Sequence, residues 1–205
     1  MKRIKAFTLV ETLIVIVVFC IGILTVLFWL SQTLKNKDHA KTQIQSAFFA
    51  REWIELMFNL RDANYHKELP WNCIPQQWMD ADWCKNSFEP DDNKALKISI
   101  WSGDYYIDTQ LVDLKHDFDS DFENFQIYFH TWSVINGETW FIYDYVWTDE
   151  EKTRFARYIQ IKDVDSGEWK IDPDKLLKIE SHVLFKKWAL TWEKVMETFM
   201  WNYDY

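Results

Sequence analysis

Glycine is scarce in this chain, with four residues in 205 where the usual share of about 7% would supply about 14. Proline is scarce too, also four, and none precedes Pro70. Three cysteines are too few for a disulfide scaffold, and the five histidines, at 39, 66, 116, 130 and 182, show no metal-ligand spacing. There is no G-x-S-x-G, no glycine-rich phosphate loop and no internal repeat. These gaps leave no assembled catalytic motif and no cofactor site, so a non-enzymatic role is expected. A deficit of positive charge adds a further exclusion: 23 basic against 32 acidic residues give a formal charge of −9, which opposes direct attraction to nucleic acid phosphates.

Charge is missing altogether from one window. Leu13 to Leu30 are 18 residues without a charged side chain, and at about 1.5 Å each they span roughly 27 Å, near the hydrocarbon thickness of a bilayer. Lys2, Arg3 and Lys5 lie before it, which keeps the N-terminus in the cytoplasm and sends residues 31–205 across the membrane. Past the window, residues 31–64 lack Pro and Gly. Leu30, Leu34, Ala40, Ile44, Ala47, Phe48, Ile54 and Met57 or Phe58 recur at spacings near three and four, with Lys35, Lys37, Asp38, Lys41, Arg51 and Glu55 on other faces. One helix from Thr8 to Leu60 is expected, apolar all round in its first half and amphipathic in its second.

Beyond about Asn64 the period changes. A Pro-, Trp- and Cys-containing loop runs to roughly Asn93, followed by strand-like runs ALKISIW, FENFQIYFHTW, TWFIYDYVW, RFARYIQIKDV and LLKIESHVLFKK. Turn signals separate them at 102–104, 136–138, 165–168 and 172–174, and the Asn-Gly in INGET marks a hairpin. EKVMETFMWNY reads as a last strand. DFDSDFE places Asp117, Asp119, Asp121 and Glu123 at alternate positions; a calcium loop would need Gly at its sixth position and an acid at its twelfth, where Phe122 and Tyr128 stand, so a strand with one wet face is expected.

One acid, Glu11, interrupts the apolar start, and an acid in hydrocarbon is costly enough to mark a functional position. A cleavable secretory signal is an alternative, but no small-residue cleavage site follows the apolar core. The string KAFTLVE (5–11), with MKRIKA before it, instead resembles the processing motif of type IV prepilins and of type II secretion pseudopilins. That pattern is a short basic leader ending in a small residue, then Phe-Thr-Leu-x-Glu and an apolar helix. The resemblance covers about residues 1–60.

The resemblance implies cleavage by a prepilin peptidase between Ala6 and Phe7 and methylation of the freed amine of Phe7. Thr8, Leu9, Val10 and Glu11 would complete the processing and assembly motif, Glu11 facing the amine of a neighbouring pilin subunit at low dielectric. Residues 1–6 would be leader, 7–30 the membrane half of the helix, 31–62 its amphipathic half and 63–205 an extracytoplasmic β-rich domain. The expected class is α+β and pilin-like: a long N-terminal helix packed on an antiparallel sheet. The precursor would sit in the cell membrane and mature into an extracellular pilus or periplasmic pseudopilus. In such an oxidising compartment Cys73 and Cys84, 11 positions apart in a loop, would pair and contribute about 3 kcal/mol in the chain-entropy model, while Cys20 stays in the apolar run. Ala6 replaces the family's usual Gly, and no Pro breaks the helix, which leans toward a minor pilin or pseudopilin. An uncleaved membrane-anchored binding domain is the reading from a different class.

The glycine deficit has a counterpart in 13 tryptophans. Trp147, Trp188, Trp192 and Trp201 stand where a turn or small residue is expected, and Trp53 sits inside AREWIE. A gene that reads UGA as glycine, translated with tryptophan at those codons, would give this composition.

Overall fold

The computed structural model describes residues 9–74, 86–87, 89–101, 106–135, 138–144, 152–164, 172, 174–188 and 190–203. The expected cleavage residues Ala6 and Phe7, Thr8 of the processing motif, and Cys84 lie outside them, as do the turn signals at 102–104, 136–137 and 165–168. The architecture is α+β, and the chain divides into two compact units, one up to Gln45 and one from Ser46 to Tyr205.

The first unit is the N-terminal part of helix α1 (Leu9–His66). None of the most apolar 18-residue window of α1 is buried. The hydroxyls of Thr12, Thr25 and Thr33 donate back to the carbonyls of Leu9, Ile21 and Trp29 at 2.8–2.9 Å. Such back-bonding satisfies each hydroxyl inside the helix, which lets it sit in an apolar medium.

The second unit contains the rest of α1 and a seven-stranded antiparallel sheet. Short strands β1 (Cys73–Ile74) and β2 (Asn86–Ser87) pair apart from it. The sheet comprises β3 (Lys94–Trp101), β4 (Tyr106–Asp113), β5 (Gln126–Ile135), β6 (Glu138–Asp144), β7 (Lys152–Lys162), β8 (Leu176–Lys187) and β9 (Leu190–Trp201). β7 is the hub. It pairs with β8 along its length, with β5 at Gln126↔Ala156 and with β3 at Leu96↔Ile159. Both faces of β7 are covered, so Phe155 to Ile161 are all buried and the strand loses the in/out alternation of a half-buried one.

On one face Phe155, Arg157 and Ile159 meet α1, which buries Ser46, Phe49, Ala50, Trp53, Met57, Leu60, Arg61 and Asn64 at spacings of three and four. On the other, Tyr158 packs 5.0 Å from Phe125, just past the short helix α2 (Phe118–Asn124). α1 ends as the sequence allows. Leu69 N donates to Asn64 O and Glu68 N to Tyr65 O, with Glu68 left-handed at φ 56°, a Schellman cap followed by Pro70.

Five points of the sequence reading need correction. DFDSDFE is helical, not a strand: Asp117 caps α2 by accepting from Ser120 N at 3.1 Å, and Phe118 stacks on Phe122. Spacing of four between those phenylalanines suits a helix, and the acids at its start complement its dipole. The expected strand FENFQIYFHTW accordingly begins only at Gln126. YIDTQLVD forms β4, which the sequence reading left unassigned. The buried stripe of α1 is the expected one at Ile54 and Met57 but not earlier: Ile44 and Phe48 are exposed while Phe49, Ala50 and Trp53 are buried. Finally, α1 continues to His66, past Leu60, until its cap stops it.

Candidate assembly helix and processing site

Of the motif residues, Leu9, Val10 and Glu11 are described, and they form the first turn of α1. Glu11 is exposed there. Around and beyond it, Leu9, Val10, Leu13 and Ile14 are each more than half exposed, as are Phe19, Leu24, Val26 and Phe28. So wide an apolar surface on a helix calls for lipid or other apolar helices as its solvent. Cys20 is an exposed free thiol on the same segment.

The second unit gathers its polar chemistry on the sheet. Arg157, almost wholly buried on β7, donates to Glu52 of α1 at 2.5 Å, and its guanidinium lies 4.7 Å from the Trp53 ring centroid. Arg61, also buried, bonds the Tyr203 hydroxyl and sits 4.2 Å above that ring. Asn202 accepts from the Tyr65 hydroxyl at 2.5 Å. The segment after β9 is thereby tied to the end of α1. No local sequence signal marks these pairs, since their members lie more than 100 positions apart.

On the other face His182 stacks on Tyr158, 4.6 Å between centroids. Its Nδ1 is 2.6 Å from Glu193 and its Nε2 3.3 Å from Glu180. Burial alone would raise the Glu180 carboxyl, but hydrogen bonds from Lys178 and Lys162 outweigh it and hold it at about 2. Burial, with Glu193 beside it, pushes the Tyr158 hydroxyl well above its usual range. Every acid here is matched by a cation or a ring N–H, which fits a cross-strand clamp. Among the described residues no three His, Cys, Asp or Glu side chains form a metal-binding group. An open cleft of ≈ 270 Å³ beside Pro90, Leu96 and Leu111 is smaller than the usual small-molecule pocket.

Cys73 is fully buried on β1 and pairs across to Ser87, three positions after Cys84. Residues 1–27 match the family model described as the prokaryotic N-terminal methylation motif. The chain thus carries the type IV pilin-like prepilin signature at the head of its exposed apolar helix. No curated protein and no solved structure matches the chain.

Proposed function

We propose that this chain is a structural, minor subunit of a type IV pilus-like filament. Prepilin peptidase removes residues 1–6 and the amine of Phe7 is methylated. The helix then passes from the membrane into a bundle of like helices, its partners being other pilin subunits. Glu11 faces the Phe7 amine of a neighbour, so a charge that is costly in hydrocarbon becomes a register mark. The carrying observation is the methylation motif over residues 1–27, which takes in Glu11 and runs into a part of α1 whose most apolar 18-residue window is wholly uncovered. An exported second unit with its own core, and a Cys73–Cys84 disulfide supported by the β1–β2 pairing, fit an extracellular or periplasmic destination. The unbroken, proline-free course of α1 also favours a type II secretion pseudopilin as the second reading. In both, the role is scaffolding rather than catalysis.

Mass spectrometry of the mature N-terminus in the source cells tests the mechanism. N-methyl-Phe7 is the expected species; an intact Met1 refutes processing and leaves an anchored binding domain. A neighbouring gene set for secretion rather than pilus assembly moves the reading to the pseudopilin.

A further inference from the structure

The β8–β9 hairpin closes on the pair Lys187↔Leu190, so its connection is two residues long and begins at Trp188. Two-residue loops use primed turns because these match the twist of the strands, and primed turns need positive φ at their first central residue, the place glycine fills. Trp188 is that residue, with φ 61°. In the left-handed region a Cβ crowds the following carbonyl, and for a bulky side chain the conformation is an outlier. The indole gains no burial in exchange, being 90% exposed.

The other positive-φ residues among those described, Glu68 and His116, are placed differently. Glu68 closes the cap of α1, and the His116 ring lies 3.3 Å from Asn93 Oδ1. Trp71 is the opposite case to Trp188. It is buried, and its Nε1 donates to the Asp174 carbonyl at 3.1 Å, a bond glycine cannot make. The composition agrees with the backbone: 13 tryptophans accompany four glycines, and the glycine shortfall from the usual share is of similar size to the tryptophan count.

We propose that residue 188 of the protein made in its own cells is glycine, encoded by a UGA codon that those cells read as glycine. The hairpin geometry carries this independently of the filament reading. Residue 71, by contrast, is tryptophan encoded by UGG. The test is to sequence the codons and to digest the native protein with trypsin, then read the peptide after Lys187 residue by residue from its fragment masses. Glycine at 188 from a UGA codon is the expected result, with tryptophan at 71 as the internal control. Tryptophan at 188 overturns the proposal, whether its codon is UGG or a UGA read as tryptophan.

Discussion

Between Leu9 and Leu30 nearly every large apolar side chain of α1 is exposed, whereas between Ser46 and Asn64 the same helix buries a side chain every three or four residues. Secondary structure does not distinguish the two stretches; what surrounds them does. The later stretch is held by contacts already inside the chain, Phe49 on Phe155 and Arg157 on Glu52 among them. Among the described residues none covers the most apolar window of the earlier stretch, a surface suited to lipid or to other apolar helices. One stretch therefore stabilises the fold, while the other leaves its apolar surface uncovered.

Substitutions can break that division. The largest effect belongs to Glu11→Ala, which is expected to abolish filament assembly while leaving the Ala6–Phe7 cut largely intact. Sheared filament yield, read alongside the processed N-terminus, checks it, and normal filaments in the variant would remove the pairing role. Next comes a contrast between Leu177→Ala and Ile14→Ala, measured by denaturant unfolding of the full chain in detergent. Leu177 is fully buried in the sheet core, so its truncation should cost about 2–5 kcal/mol. Ile14 is 55% exposed, and its truncation should change unfolding of the second unit by less than about 0.5 kcal/mol.

The smallest effect is pH-dependent and confined to the second unit. Glu180 sits at about 2 in the folded chain against an ordinary 4.5, so it binds protons less readily folded than unfolded. The stability it contributes is whole above about 4.5 and is lost as pH falls toward about 2, on the order of 2 kcal/mol. Melts of wild type and Glu180→Gln between these limits should converge at the acid end. Parallel curves would mean that Lys178 and Lys162 do not hold the carboxylate as described.

Much of the second unit was readable from periodicity. LLKIESHVLFKK is β8 from end to end, and the Asn-Gly signal lies between β5 and β6, which close on Ile135↔Glu138. The failures have local causes. In DFDSDFE an alternation of acids hid two phenylalanines at helical spacing, and the deciding bond, from Ser120 N to Asp117, is a cap rather than a pattern. In YIDTQLVD no apolar face stands out, so only pairing with β3 reveals the strand. The face of α1 drifted because exposed Ile44 and Phe48 are as apolar as buried Phe49, and hydrophobicity alone cannot choose among them.

What the residues determined unaided is what is read along the chain: a basic start, a small residue, FTLVE and an uncharged run in the order of the prepilin signature, together with strand-like runs set apart by turn residues. Tertiary structure decided what depends on distance in space. It placed β7 between three neighbours, set Arg157 on Glu52 across 105 positions, and put Trp188 in a turn that requires a left-handed backbone. The physical reason is that local patterns fix which element forms, while register and packing fix which side chains meet, and those are settled only when distant segments close on one another.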